Sequence, residues 1–187
     1  MAGLTEQEIE LIAQRIVADL GGRGGAGGKE KAAGPPVAGE LGVFDSIDEA
    51  VRAAGTAFRQ FDDMGLAKRN AIIAAIRAEM REHGNALARE AHEETGLGRY
   101  EDKVLKNQLV TEKTPGTEDL LPHAVTGDDG LMLTELAPYG VIGAITPTTN
   151  PTSTIINNTI AMVAAGNAVV FNAHPNAKRV SCHTVAL

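Results

Sequence analysis

A polar run, Thr146-Pro-Thr-Thr-Asn150-Pro151, follows a short apolar segment and precedes a segment with helical spacing. The start of a helix offers backbone N–H groups without intrahelical partners, together with the positive end of the helix dipole. Asn150 adds a side-chain amide donor. Such a loop can bind an anion or stabilise an oxyanion that develops during a reaction. The competing interpretation is that Asn-Pro begins a turn and that a threonine caps the helix.

A second polar run, Asn172-Ala-His174-Pro-Asn176, follows the next short apolar segment. In an open α/β sheet, loops at the carboxyl ends of the strands form the ligand crevice. His174 could therefore hydrogen-bond a phosphate or a ribose, or it could be a solvent-exposed loop histidine. This region has no G-x-G-x-x-G, so the conventional dinucleotide-binding fingerprint is absent.

The chain has one cysteine, Cys182, which lies after the second polar run. No His, Asp or Glu pattern marks it as an activated thiol, so we predict a structural role. His83 and His92 lie among charged residues with helical spacing, and we expect them at the surface. The spacings typical of zinc and calcium sites do not occur, so no metal site is predicted.

These loops need strands and helices to position them. Val141 to Ile145 and Ala168 to Phe171 are short apolar runs typical of strands that are buried on both faces. Residues 151 to 165 are predicted to form the helix between them, with Gly166 as its end. A further helix is predicted from Pro175. The pattern indicates the α/β fold class, with parallel strands joined through a helix.

The preceding segment has the apolar periodicity of helices. Ser46 and Glu49 form a capping box that begins the first of these helices. We expect Gly84 to end the second helix and Asn85 to cap the third. A polar loop is expected up to Gly130. The predicted elements are helices from Ser46 to Phe61, Leu66 to His83, Asn85 to Thr95 and Tyr100 to Lys113, and a strand from Leu131 to Leu136.

Composition excludes several classes of function. The 187 residues carry a formal net charge of −7, without a long Lys/Arg cluster, which disfavours nucleic acid or an anionic membrane as partner. No apolar stretch approaches the ~20 residues that span a bilayer. Acidic residues stand where a secretory signal has positive charge. A single thiol cannot form an internal disulfide, which fits the reducing cytoplasm.

The N-terminal segment has its own organisation. Residues 4 to 20 have the spacing of an amphipathic helix, begun by a capping box at Thr5 and Glu8. Residues 21 to 40 are rich in Gly, Ala and Pro and read as a flexible linker. We therefore predict three parts: a helix within residues 1–20, a linker over 21–40 and a body over 41–187.

Three motifs closely resemble the aldehyde dehydrogenase superfamily, and within it the CoA-acylating propionaldehyde and acetaldehyde dehydrogenases of bacterial microcompartments. The resemblance extends from about Gly42 to Leu187. The motifs are Pro138-Tyr-Gly-Val-Ile-Gly-Ala-Ile-Thr-Pro-Thr-Thr-Asn-Pro151, Ile156-Asn-Asn158 and Ala164-Ala-Gly-Asn-Ala-Val-Val-Phe-Asn-Ala-His-Pro175.

The resemblance implies an incomplete Rossmann-like cofactor domain, of which this chain carries the start. Helices and a tethered amphipathic helix precede that domain. It implies the conversion of a short-chain aldehyde, CoA and NAD⁺ into acyl-CoA and NADH, through a thioester on a cysteine. It also implies a homo-oligomer at full length. Residues 4–20 are similar to encapsulation peptides, which implies a shell-protein partner and a place in the microcompartment lumen.

The resemblance also implies the roles of individual residues. Most family members carry Pro-Trp-Asn-Phe-Pro, whose asparagine is an oxyanion donor. Alignment of the prolines puts Thr149 at that position and Asn150 next to it, so both are candidates. Asn172 replaces a lysine that is common in non-acylating relatives. The implied nicotinamide end comprises Ile145, Thr146, Pro147 and Thr148, and the implied adenosine end Asn172, His174 and Pro175.

The family's nucleophilic cysteine and its glutamate-containing segment have no counterpart up to Leu187. We therefore expect a fragment that does not turn over aldehyde by itself. The alternatives are an interaction protein that works through residues 4–20, a piece of a non-acylating aldehyde dehydrogenase, and a non-catalytic regulator. The aldehyde's chain length and the choice between NAD and NADP stay open.

Overall fold

The computed structural model describes residues 41–187. The predicted helix at 4–20 and the predicted linker at 21–40 lie outside the described residues. Two single-turn helices, Thr117–Asp119 and Pro175–Ala177, accompany the main elements. The main elements are α1 Ile47–Asp62, α2 Leu66–Thr95, α3 Tyr100–Lys113, β1 His123–Gly127, β2 Gly130–Thr134, β3 Val141–Thr146, α4 Pro151–Ala164, β4 Ala168–Ala173 and α5 Lys178–Ala186.

The predicted strand–helix–strand unit is confirmed. β3 and β4 pair in parallel, and α4 forms the crossover between them. Asn167, in the turn before β4, joins the two strand starts. Its side-chain oxygen accepts hydrogen bonds from the backbone N–H of Tyr139 at 2.6 Å and of Gly140 at 3.0 Å. The unit is therefore closed at its amino-terminal end by one amide side chain.

The prediction that both strands are buried on both faces is wrong. Along β3, Val141, Gly143 and Ile145 are exposed, whereas Ala144 and Thr146 are buried. The sheet that contains β3 has two strands within residues 41–187. The helices that pack against these strands leave the alternate side chains of β3 uncovered.

The core is aliphatic, in keeping with a sequence that has no tryptophan, two tyrosines and four phenylalanines. It lies where α2, α4 and α5 meet. No helix within residues 41–187 has both the length and the apolar character that crossing a membrane requires. The buried cluster comprises Ile73, Met80, Leu87, Ala91, Ile156, Ile160, Ala164, Ala177 and Val180.

The predicted break at Gly84 is wrong, because α2 is one continuous helix of 30 residues. Gly84 is buried, and a Cβ atom there would lie 3.8 Å from the Cβ of Asn107 on α3. The glycine thus lies inside α2 and against α3, at an ordinary van der Waals distance, instead of ending the helix. The helix ends at Gly96, a left-handed C-cap with φ +66°, as predicted.

The polar loop expected before Gly130 is also wrong, since β1 lies within it. β1 pairs with β2 as an antiparallel hairpin, and every residue of both strands is exposed. The turn is Asp128-Asp129, followed by Gly130 with φ +142°. Asp and Gly are typical turn residues, so the sequence carried a turn signal between two short segments. The predicted strand at Leu131 is confirmed, although β2 ends at Thr134.

Candidate functional site

The parallel pairing brings the two polar runs to one edge of the sheet. Ile145 lies opposite Asn172, and Thr146 lies opposite Ala173. The chain leaves both strands at this edge, through Pro147–Asn150, the first loop, and through His174–Ala177, the second loop. The edge therefore has the arrangement in which open α/β sheets bind ligands.

The two β3 residues at this edge differ in exposure. Ile145 is 84% exposed and offers an apolar surface. Thr146 is buried, and its hydroxyl donates a long hydrogen bond of 3.5 Å to the backbone oxygen of Asn172. The Asn172 side chain itself is exposed. The edge thus presents an apolar side chain and an amide side by side.

The first loop is held by α3, across a large separation in sequence. Lys103 Nζ donates to the backbone oxygen of Thr149 at 3.1 Å. Lys106 Nζ donates to Asn150 Oδ1 at 3.0 Å, and Asn150 Nδ2 points to Thr149 Oγ1 at 3.5 Å. Lys103 is only 6% exposed. Burial lowers the pKa of Lys103 below its ordinary value, and the charge of Lys106 lowers it further.

The same face of α3 holds the start of α4. The Asn107 side chain is 1% exposed, donates to Gly84 O at 3.0 Å and accepts from the Thr152 hydroxyl at 2.8 Å. The Thr114 hydroxyl donates to Asn157 Oδ1 at 3.0 Å. α3 is therefore a polar scaffold that fixes both the first loop and the helix that follows it.

The capping interpretation of the first loop is not what the structure contains. Asn150 is the residue before α4, but no side chain there makes a capping hydrogen bond. The Thr152 hydroxyl turns to Asn107 instead. Pro151 occupies the first turn of the helix, where its missing N–H costs nothing. The polar side chains of Thr149 and Asn150 are therefore not used as caps.

The second loop is held by a bond between its own atoms, and one carboxylate holds the helix that follows it. His174 Nδ1 accepts from the backbone N–H of Asn176 at 3.1 Å, so the neutral ring carries its hydrogen on Nε2. After the loop, Glu94 of α2 caps α5. Its two oxygens accept from the N–H groups of Arg179 at 2.9 Å and Val180 at 2.7 Å. Pro175 is exposed.

Cys182 lies away from both loops. It is half-buried and lines an apolar cavity of about 390 Å³ between α1, β4 and α5, with small side chains such as Ala53, Ala54 and Val169. No residue of the first or second loop lines this cavity. Across residues 41–187, no three His, Cys, Asp or Glu side chains come together as a metal-binding group.

Sequence reasoning missed the lysines and the asparagine of α3. Their signal was a polar stripe with helical spacing at Lys103, Asn107 and Thr111, all of which are buried. Buried polar side chains at i, i+4 and i+8 indicate a helix that packs on a polar partner.

The comparisons with known proteins agree with this arrangement. The profile described as the aldehyde dehydrogenase family matches residues 41–187. The chain is 50% identical over 146 residues to the propanal dehydrogenase (CoA-propanoylating) of Citrobacter freundii, covering 78% of the chain and 32% of that protein. It is 41% identical over 184 residues to the acetylating acetaldehyde dehydrogenase EutE of Salmonella typhimurium, covering 98% of the chain and 37% of that protein.

Solved structures of other proteins are also similar to this chain. A propionaldehyde dehydrogenase from the Clostridium phytofermentans fucose utilisation bacterial microcompartment has a TM-score of 0.76 at 53% identity, covering 79% of this chain and 34% of that one. An engineered glycolyl-CoA reductase with bound NADP⁺ has a TM-score of 0.76 at 49% identity, covering 78% and 34%. The chain spans about a third of the length of the curated relatives it matches.

Proposed function

This chain belongs to the aldehyde dehydrogenase family, and from that premise we propose that residues 41–187 supply part of the cofactor site of a CoA-acylating aldehyde dehydrogenase. The enzyme converts a short-chain aldehyde, CoA and NAD⁺ into acyl-CoA and NADH. The observation that carries the proposal is the register that sets Ile145 beside Asn172, because it brings both polar loops to one open sheet edge.

The edge suits a nicotinamide dinucleotide. Ile145 offers an apolar surface to a flat ring, and Asn172 Nδ2 and His174 Nε2 are donors for ribose or phosphate oxygens. When bound, the dinucleotide accepts the hydride of the aldehyde. The residues that would hold it are Ile145, Thr146, Pro147 and Thr148 at the nicotinamide end and Asn172, His174 and Pro175 at the adenosine end.

Of the two candidate oxyanion donors, the hydrogen-bond directions favour Thr149. Lys106 donates to Asn150 Oδ1, which turns Asn150 Nδ2 toward Thr149 Oγ1. A hydroxyl that accepts in this way still has its own hydrogen to donate. The Thr149 hydroxyl would stabilise the negative oxygen that develops when a thiolate adds to the aldehyde carbon. Asn150 would then orient Thr149.

The thiolate has to come from elsewhere in the enzyme. Cys182 is the chain's single cysteine, and it lies in the apolar cavity away from both loops. We therefore propose that the 187-residue chain alone forms no NADH from an aldehyde.

A chimera tests the proposal. Residues 41–187 replace the matching segment of the Citrobacter freundii propanal dehydrogenase (CoA-propanoylating), and NADH absorbance and propanoyl-CoA are measured. We expect both products only when propanal, CoA and NAD⁺ are all present. A folded chimera that forms neither product contradicts the proposal. Robust NADH formation by the 187-residue chain alone contradicts the assignment of the thiolate to another segment.

A second function concerns residues 4–20. The match to Salmonella EutE covers 98% of the chain and so extends into this segment. We propose that its apolar stripe docks a microcompartment shell protein. Residues 1–25 fused to a fluorescent protein should give puncta in cells that make shells, whereas an Ile12→Asp fusion should stay diffuse. Diffuse signal from the unaltered fusion contradicts docking.

The exposed hairpin supports a homo-oligomer. Leu131, Met132 and Leu133 of β2 are all exposed large apolar side chains, and an open strand edge with apolar groups favours pairing with another chain. We propose that β1 and β2 contact a second copy. Light scattering should give a larger mass for the active chimera than for its Leu131→Ser, Leu133→Ser variant. Equal masses contradict this role.

A further inference from the structure

We propose that Lys103 and Lys106 are positioning residues for the first loop, which fix the Thr149 carbonyl and the Asn150 amide so that the Thr149 hydroxyl has one donating orientation. This inference rests on the proposed function. It concerns residues of α3, which no part of the family resemblance assigned.

Lys103 is the first part of the argument. A buried ammonium group is costly unless it is paired and hydrogen-bonded. None of the salt bridges within residues 41–187 includes Lys103, and its hydrogen bond goes to the backbone oxygen of Thr149. The bond to Thr149 therefore offsets part of the cost of burying the ammonium group, and it fixes the position of the loop carbonyl.

The contact also changes the peptide that it touches. The carbonyl of Thr149 and the N–H of Asn150 belong to the same peptide group. A charge-assisted hydrogen bond to the oxygen polarises this group, which makes the Asn150 N–H a better donor. Lys103 therefore both locates the loop and strengthens a backbone donor within it.

Lys106 is the second part. It lies three residues along α3, on the same side as Lys103. Its hydrogen bond to Asn150 Oδ1 sets the orientation of the Asn150 side-chain amide. Because the oxygen of that amide points to Lys106, its NH₂ group points to Thr149. Asn107 completes the set through Thr152. One helix face thus contacts residues 149, 150 and 152 in order.

Selective labelling reads this contact directly in the 187-residue chain. Thr149-Asn150 is the only Thr-Asn step in the sequence, so heavy-isotope labels at threonine carbonyl carbons and asparagine nitrogens give one NMR correlation. We expect Lys103→Met to move this signal. Lys113→Met, on the exposed end of the same helix, should leave it in place. An unmoved signal in Lys103→Met overturns the inference.

Kinetics in the chimera give the second readout. We expect Lys103→Met to lower kcat about 10- to 100-fold, because small misplacements of a catalytic group cost about this much. The KM for NAD⁺ should change by less than about twofold, since an interaction that matters only in the transition state affects kcat alone. Lys106→Gln should lower kcat less, and Lys113→Met should not change it.

The outcomes separate the two proposals. If the unaltered chimera is active and Lys106→Gln keeps its kcat, as does Lys103→Met where that variant folds, the positioning role is wrong and the proposed function stands. If the unaltered chimera binds no NADH and makes no acyl-CoA, the proposed function itself is wrong. Lys106 is exposed, so Lys106→Gln keeps the test decisive even if Lys103→Met fails to fold.

Discussion

The first and second loops leave the same sheet edge but are held in different ways. The first loop is fixed by Lys103 and Lys106, which lie 46 and 44 residues away from their partners. The second loop is fixed by a bond from Asn176 to His174, two residues apart. Long-range scaffolding is therefore applied where we place the oxyanion donor, and a local bond holds the loop where we place the adenosine end of the cofactor.

The largest stability effect is expected where the scaffold of the first loop is most buried. Asn107→Ala leaves the buried Thr152 hydroxyl without its acceptor, and the Gly84 carbonyl with only its bond inside α2. We expect a loss of about 2–4 kcal/mol in the free energy of unfolding, from about 1–3 kcal/mol for the unpaired hydroxyl and about 1 kcal/mol for the lost bond to Gly84. Urea unfolding at neutral pH measures it. A loss below about 1 kcal/mol would show that α3 does not anchor α4.

The next effect concerns the helix after the second loop. Glu94→Ala removes the carboxylate that accepts from the N–H groups of Arg179 and Val180. We expect a loss of about 1.5–3 kcal/mol, as for hydrogen bonds to a charged group. Glu94→Gln keeps one acceptor oxygen, so the free energy of unfolding should fall by about half as much as in Glu94→Ala. Equal losses in the two variants would contradict the assignment of the effect to the carboxylate.

These predictions rest on contacts that the sequence reveals to different degrees. The strand–helix–strand unit was predictable, because short apolar runs that end in polar loops are characteristic of parallel strands. The family resemblance found in the same run is confirmed. The oxyanion and cofactor residues stay proposals.

The errors have physical causes. Gly84 is a poor helix former, but it lies inside a long helix that packs on α3, and such packing joins distant parts of the sequence. The contacts of Lys103 with Thr149 and of Lys106 with Asn150 were not predicted because they, too, join distant parts of the sequence. The strands were expected to be buried on both faces because an apolar run does not indicate which helices will cover it. The hairpin was missed although the turn residues Asp128 and Asp129, followed by Gly130, stood in the sequence.

A smaller effect should appear in acid. A hydrogen bond from Arg81 lowers the pKa of Glu112, and Arg81 thereby joins α2 to the scaffold helix α3. Arg99 in the same way lowers the pKa of Asp102. The ionised forms stabilise the fold, so this stability is present above the ordinary carboxyl values of 4.5 and 3.8 and is lost as the pH falls through the lowered values.

Thermal unfolding at a series of acid pH values checks this prediction. Arg81→Gln should weaken the loss of stability on acidification, because Glu112 then titrates nearer its ordinary value. Lys113→Gln, at the exposed end of the same helix, should leave most of the pH dependence in place. An unchanged acid profile in Arg81→Gln would contradict the account.

The smallest stability effect is expected in the second loop. His174→Ala removes one exposed hydrogen bond from the Asn176 N–H, and that group can bond to water instead. We expect a loss below about 1 kcal/mol in urea unfolding. A loss as large as that of Asn107→Ala would remove the contrast between the two loops.

Steady-state kinetics of the chimera test most directly the different roles that we assign to the two loops. Thr149→Val should lower kcat about 100-fold, as expected for the loss of one oxyanion donor, and leave the KM for NAD⁺ within about twofold. His174→Ala and Asn172→Ala should raise that KM about tenfold and leave kcat nearly unchanged. If Thr149→Val changed only the KM for NAD⁺, or if His174→Ala and Asn172→Ala lowered kcat instead, the assignment of the oxyanion donor to the first loop and of the adenosine end to Asn172 and His174 would be wrong.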